Sequence, residues 1–144
     1  MIRATLDVNV LASAFVGRQS APALIIQRWT GGQFALILSE HVLHGLDRAW
    51  QKPYFQTRYA TNQVQQTLAL LRADAIMVAP TDSVRGVGED EEDDRVLATA
   101  IAGDATYLVT GDHHLQSLGS FLSVTILSPR QFLNLLERYP DKES

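Results

Sequence analysis

Three aspartates border apolar segments of the chain, where acids brought together by folding could act on one substrate: Asp7, Asp94 and Asp112. Carboxylates that meet with no lysine or arginine between them repel one another, and a bound Mg²⁺ or Mn²⁺ ion relieves that repulsion. Such an ion lowers the pKa of a bound water, orients it towards a phosphodiester and stabilises the leaving oxygen. Metal-assisted phosphodiester chemistry is therefore the simplest reaction for these acids in a chain without cysteine.

Each aspartate also has an ordinary structural explanation. Asp7 could cap a following helix, Asp94 could complement the positive end of a helix, and Asp112 could be a turn residue. Their joint placement favours a site, because Asp7 and Asp112 each follow a predicted strand and Asp94 opens a predicted helix. In parallel α/β sheets, functional groups gather beyond the carboxyl ends of the strands.

The elements that must position these acids alternate along the chain. Short apolar runs predict strands at residues 2–6, 34–38, 76–78, 106–109 and 124–127. Helical patterns with polar caps or prolines at their ends predict helices at about 10–16, 20–30, 40–51, 61–73, 94–102, 113–118 and 129–139. This order predicts an α/β fold with a central, mostly parallel sheet covered on both faces by helices. We expect one domain over residues 1–140 and a frayed tail at 141–144.

Composition sets broad limits. A chain of 144 residues with 46% apolar content can form one domain with a proper core, and zero cysteines exclude disulfides and thiolate metal sites. No segment has the length of a signal region or membrane span, so we expect a cytoplasmic protein with no membrane partner. The net charge of −4 comes largely from six consecutive acids at 89–94. Arg48 and Lys52 could track a phosphate backbone or simply cover a solvated surface.

Three segments carry a resemblance to a known family. The opening LDVNVLASAF is similar to the LDTNVLVSA of PIN domains, with Val8 in place of the usual threonine. The segment DDRVLATAIAGDATYLVTGD resembles the PIN pattern of an acid before an alanine-rich helix, followed by the aspartate of a T-x-D turn. The tail ILSPRQFLNLL is similar to the end of the PIN subfamily that supplies toxins of toxin–antitoxin pairs. The likeness covers nearly the whole chain.

This resemblance implies a three-layer α/β/α sandwich and a metal-dependent endoribonuclease with Mg²⁺ or Mn²⁺ as cofactor. Matching the motifs makes Asp7, Asp94 and Asp112 the catalytic and metal-binding acids, with Asn9 and Thr110 as polar support. Asp93 is a second choice for the metal beside Asp94, which ranks first because its spacing to Asp112 fits the pattern. The resemblance also implies an RNA substrate, an antitoxin partner and a homodimer. The charge and position of Arg48 and Lys52 make them the candidates to contact that RNA.

One position departs from the family pattern. PIN domains of this kind carry another acid in the helix after the second strand, and aligning the flanking residues puts Gly45 there. Glu40 and His41 are the nearest substitutes as metal ligands, although Glu40 lies about 140° around the helix from position 45. His41 is better aimed, and it can equally be a surface histidine.

Two other classes of function stay open. A PIN fold that has lost turnover could serve as an RNA- or partner-binding module, and Gly45 favours that alternative. A phosphoryl-transfer domain, receiver-like or phosphatase-like, would also place an acid after the first strand. The receiver pattern needs a lysine after a late strand, and the phosphatase pattern needs an aspartate where this chain has Asn9.

Overall fold

The computed structural model describes residues 1–80 and 84–139. The strands within these ranges are β1 (Ile2–Leu6), β2 (Phe34–Leu38), β3 (Ile76–Met77), β4 (Tyr107–Val109), β5 (Ser120–Phe121) and β6 (Val124–Leu127). The helices are α1 (Val8–Ala14), α2 (Ala21–Thr30), α3 (Glu40–Trp50), α4 (Pro53–Gln56), α5 (Thr61–Asp74), α6 (Glu91–Ala102), α7 (His113–Leu118) and α8 (Pro129–Arg138).

The strands form one sheet in the order β3-β2-β1-β4-β6-β5. Every neighbouring pair is parallel except β5 and β6. Helices cover the sheet, so the predicted α/β/α architecture with a mostly parallel sheet is confirmed. The order reverses direction at β1 and β4, which lie side by side at the centre although about a hundred residues separate them in sequence.

Serines begin three of the helices as the sequence predicts. The hydroxyls of Ser20, Ser39 and Ser128 accept hydrogen bonds from the amide three residues further on. Each of these bonds satisfies one of the amides that a helix leaves without a partner in its first turn. The caps fix where α2, α3 and α8 start, and therefore which faces they bury.

Trp50 anchors the face of α3 that packs on α1. Its ring is almost fully buried, its Nε1 donates to the carbonyl of Ala12 at 3.2 Å, and it stacks on Tyr59 with ring centroids 4.8 Å apart. A buried tryptophan with its one polar group satisfied holds two helices in register. Through this contact the core fixes α3 beside the start of α1.

The structure corrects several expected boundaries. Pro53 ends α3 as predicted, but it also opens the short helix α4, and β5 adds an antiparallel edge strand that the sequence reasoning did not foresee. Helix α6 begins at Glu91 with Asp90 as its cap, so Asp94 is its fourth residue and not its first. The predicted frayed tail at 141–144 lies outside the described residues. Across the described part of the chain, no helix is both long and apolar enough to cross a membrane.

Candidate active site

Asp7 and Thr110 meet where the two central strands end. Leu6 pairs with Val109 across β1 and β4, so the next residue of each strand emerges at the same edge of the sheet. The Thr110 hydroxyl donates to Oδ2 of Asp7 at 2.7 Å, and the amide of Val8 donates to Oδ1 at 2.7 Å. Asp7 therefore caps α1 and is also held across the sheet.

The surroundings of Asp7 nevertheless disfavour its ionised form. Only 7% of the residue is exposed, and this burial raises the pKa of its carboxyl above the ordinary value. The hydrogen bonds from Thr110 and Val8 oppose the rise, while the negative charges of Asp112 and Glu92 add to it. A nearby cation would offset both the cost of burying this negative charge and the repulsion from the neighbouring acids.

Asp112 is fixed by the same threonine. The Thr110 hydroxyl accepts a 3.0 Å hydrogen bond from the Asp112 amide, and Oδ1 of Asp112 caps α7 by accepting from the amides of His114 and Leu115. Among the described residues, no hydrogen bond reaches Oδ2 of Asp112. One oxygen thus orients the side chain and the other is left for a further partner.

Asp94 faces a loop. Its carboxylate accepts hydrogen bonds from three successive backbone amides, those of Gly86, Val87 and Gly88, at 2.7–3.0 Å. Burial alone would raise the pKa of Asp94, but the three donors outweigh it and the pKa is lowered. Asp94 therefore anchors the loop before α6. It does not line the open cavity that Asp7, Asp93 and Asp112 line together.

Asp93, the second choice from the sequence, faces that cavity. Burial raises its pKa to about 6, with further contributions from the charges of Asp90, Asp7 and Asp112, against a lowering by the Glu89 amide. Gly88 lies directly against the Cβ of Asp93, so a side chain on residue 88 would displace it. The geometry thus favours Asp93 over Asp94 as the acid beside Asp7 and Asp112.

The shared cavity is open and has a volume of about 390 Å³. Its polar lining combines acids with basic and amide groups: Asp7, Asp90, Glu92, Asp93, Asp112, Asn9, Arg48 and Lys52. Asn9, Arg48 and Lys52, which the sequence singled out for polar support and RNA contacts, thus lie in the same cavity as the acids. We call this space the acidic cavity.

The two substitutes considered for position 45 lie elsewhere. Glu40 is exposed and forms an ion pair with Arg72 at 3.0 Å, which holds its pKa below the ordinary value. His41 lines a neighbouring cavity of about 430 Å³ together with His44. Neither side chain lines the acidic cavity.

Comparison with known proteins identifies the fold. A family model for the PIN domain matches residues 3–114, which is most of the chain. The chain belongs to the PIN domain family. Comparison with curated protein sequences gives no match.

Two solved structures resemble this PIN domain over nearly their whole length. VapBC2 from Rickettsia felis, bound to a DNA fragment from their promoter, has a TM-score of 0.60 at 14% identity, covering 88% of this chain and 98% of the other. VapBC-1 from nontypeable Haemophilus influenzae has a TM-score of 0.58 at 16% identity, covering 90% and 99%. At these identities the likeness shows a shared fold.

The donor set of this PIN domain suits a hard divalent cation. Asp7, Asp93 and Asp112 offer carboxylate oxygens, which Mg²⁺ and Mn²⁺ prefer. Within residues 1–80 and 84–139, no three acids or histidines are already close enough together to hold a metal ion. Side chains would have to approach one another for these carboxylates to bind one ion.

Proposed function

We propose that this PIN domain is a metal-dependent endoribonuclease that hydrolyses RNA phosphodiesters in the acidic cavity. The observation that carries the proposal is the convergence of Asp7, Asp93 and Asp112, from three separate parts of the sequence, on one open cavity that Arg48 and Lys52 also line. A cavity that combines acids with bases suits a polyanionic substrate that reaches the acids through a cation.

Each side chain has a separate task in this proposal. Asp7, Asp93 and Asp112 would hold Mg²⁺ or Mn²⁺, which supplies a more acidic bound water and stabilises charge on phosphate oxygens. The Thr110 hydroxyl holds Asp7 and the backbone of Asp112 in a common frame. Asp94 keeps the loop over residues 86–88 in place, and Gly88 of that loop lies against the Asp93 side chain.

The basic residues of the cavity would bind the RNA backbone. Arg48 lies in the last turn of α3 and Lys52 two residues beyond the end of that helix, and both line the acidic cavity, where they would contact the phosphates of the RNA. Asn9 on α1 adds a neutral polar group to the same lining. Contacts of this kind bind RNA with little dependence on base identity.

A cleavage assay with Mn²⁺ and single-stranded RNA tests the proposal. We expect wild-type protein to cut the RNA and Asp7→Asn and Asp93→Asn to lose most of that activity. Asp104→Asn is a matched control, because Asp104 is an exposed acid with positive φ, a conformation that asparagine also tolerates. Equal cleavage by wild type and the two cavity variants would identify a contaminating nuclease and contradict the proposal.

The proposal extends to a toxin–antitoxin pair. Two of the structures with this fold are VapBC assemblies, and the tail of this chain resembles toxin PIN domains. We propose that the chain is the toxin and that an antitoxin protein and a second copy of the chain are its partners. Induced expression in bacteria should arrest growth with the wild type and not with Asp93→Asn, while light scattering measures self-association.

A binding module without turnover is the second candidate. Gly45 and the lack of three metal-ready side chains among the described residues favour it. Such a module should bind single-stranded RNA as tightly in Asp93→Asn as in the wild type, without cleavage in either. Measuring RNA binding and RNA cleavage with the same two proteins therefore separates the two functions.

A further inference from the structure

The carboxylate of Glu92 on α6 lies against Gly45 of α3. A Cβ built on Gly45 would lie 2.6 Å from Oε1 of Glu92 and 2.9 Å from a methyl group of the buried Val8. A side chain on residue 45 would therefore have to displace both the end of the Glu92 side chain and Val8. The glycine leaves room for the glutamate of another helix.

The Glu92 carboxylate also belongs to the acidic cavity by charge. It lines the cavity with Asp7 and Asp93, and it is close enough to affect the ionisation of Asp7. Glu91, one residue earlier on α6, differs in both respects: its carboxylate lies 2.6 Å from the Arg95 guanidinium, and it does not line this cavity. Of these two adjacent glutamates, only Glu92 points its charge towards the other acids.

The basic group nearest to Glu92 is held loosely. The Arg48 guanidinium lies 3.7 Å from Oε1 of Glu92, beyond hydrogen-bond distance, and both side chains are about half exposed or more. An exposed pair at this separation contributes little to stability. Arg48 can therefore balance the Glu92 charge and still release it to a stronger cation.

We propose that Glu92 is a fourth metal-binding acid of this site and takes, from α6, the carboxylate position that Gly45 leaves empty on α3. The inference rests on the proposed function, because it assigns a ligand to the same divalent ion. With Glu92 as a ligand, neither Glu40 nor His41 is needed to replace the acid that is missing at position 45. The proposed site then has four acids: Asp7, Asp112 and the adjacent α6 residues Glu92 and Asp93.

Calorimetric titration of the purified protein with Mn²⁺ tests this assignment. We expect Glu92→Gln, which keeps the shape and removes the charge, to raise the dissociation constant for Mn²⁺ about tenfold or more. Glu91→Gln is the matched control, and its dissociation constant should stay within about twofold of the wild type. Thermal unfolding without metal should be nearly the same for both variants, because both glutamates are exposed.

Moving the carboxylate back to α3 provides a second test. Glu92→Ala should weaken Mn²⁺ binding, and the double variant Gly45→Glu with Glu92→Ala should recover most of the loss, because the alanine removes the nearer obstacle to a side chain at 45. Gly45→Glu alone should lower the melting temperature, since its side chain would crowd the buried Val8 and place a second carboxylate beside Glu92. A folded double variant that binds Mn²⁺ no better than Glu92→Ala would contradict the exchange.

The outcomes separate this inference from the proposed function. Loss of Mn²⁺ binding in Asp7→Asn and Asp93→Asn, with Glu92→Gln equal to the wild type, overturns the role of Glu92 and leaves the metal site. Equal Mn²⁺ binding by the wild type, Asp7→Asn and Asp93→Asn overturns the metal site itself, and the role of Glu92 with it.

Discussion

Thr110 joins the first and fourth strands of the sheet by donating a 2.7 Å hydrogen bond to Oδ2 of Asp7, a residue 103 positions earlier in the chain. The same hydroxyl oxygen accepts from the amide of Asp112, so one buried side chain orients two of the acids. Thr110 thus connects the stability of the central strands to the geometry of the acidic cavity.

Thr110→Val should therefore destabilise the protein by about 1–3 kcal/mol, because it leaves a buried carboxylate oxygen without its donor. Thr125→Val is a matched control on β6, where the threonine is exposed, and should change stability by less than about 0.5 kcal/mol. Urea denaturation at pH 7 measures both. Equal midpoints for the two variants would show that the bond to Asp7 contributes nothing.

Asp93 should make stability depend on pH in a defined window. Its pKa is about 6 in the folded protein against an ordinary value of 3.8, so between these values the folded state holds the proton more tightly than the unfolded state. This residue therefore lowers stability as pH rises from about 4 to about 6. Asp93→Asn removes that loss, so without metal its melting temperature should gain on the wild type across this window.

Mn²⁺ should reverse the order of these two proteins above pH 6. The ion binds the ionised carboxylates of the wild type and stabilises the folded state by mass action, whereas Asp93→Asn should gain much less. Melting curves from pH 4 to 7.5, with EDTA or with Mn²⁺, measure both effects. A constant difference between the two proteins in EDTA would contradict the raised pKa.

Removal of Asp93 and removal of Asp94 should have different effects on the free energy of unfolding and on Mn²⁺ binding. Asp94→Ala takes away the acceptor of three backbone amides and should destabilise the fold by about 1–3 kcal/mol, with faster hydrogen exchange at residues 86–88. Asp93→Ala should weaken Mn²⁺ binding more and stability less. Because the pKa of Asp94 is lowered, its stabilising contribution is present above the ordinary value of 3.8 and is lost as pH falls through the folded pKa.

Gly103 should be intolerant of a methyl group. It follows α6, and an added Cβ would overlap the side chain of Ile37, which is fully buried in β2. Gly103→Ala should cost about 1–3 kcal/mol through displacement of the core. Gly111→Ala is the control, because no atom lies within 4 Å of its added Cβ, and chemical denaturation should find it close to the wild type.

Much of the fold could be predicted because its signals are local. Short continuous apolar runs mark the strands and serine caps mark several helices, and parallel order then brings Asp7 and Thr110 to the same edge of the sheet. Two short elements, α4 and β5, were missed for a physical reason. Helix α4 and strand β5 depend on contacts with their neighbours, and a few residues carry no periodic pattern that predicts them.

The sequence did not determine which of Asp93 and Asp94 lines the acidic cavity. Spacing to Asp112 ranked Asp94 first, but the direction of each acid depends on where α6 begins, and the cap at Asp90 sets that start. The cap is itself a sequence signal, since an aspartate cap accepts from the amide three residues later, here that of Asp93. The contact of Gly45 with Glu92 had no local signal, as it joins two residues that are 47 positions apart in the chain and lie on different helices.

Asp93 and Asp94 point about 100° apart around α6, one into the acidic cavity and the other into the loop that precedes the helix. The number of residues in the acidic run is therefore constrained as strictly as its charge. A single-residue deletion between Asp90 and Asp93 would keep most of the negative charge. It would, however, shift each acid after the deletion by one position, so that it pointed where the preceding residue of α6 points now. The loop would then lose its acceptor, because Arg95 would take the place of Asp94, while Asp94 would move to the place of Asp93 in the cavity.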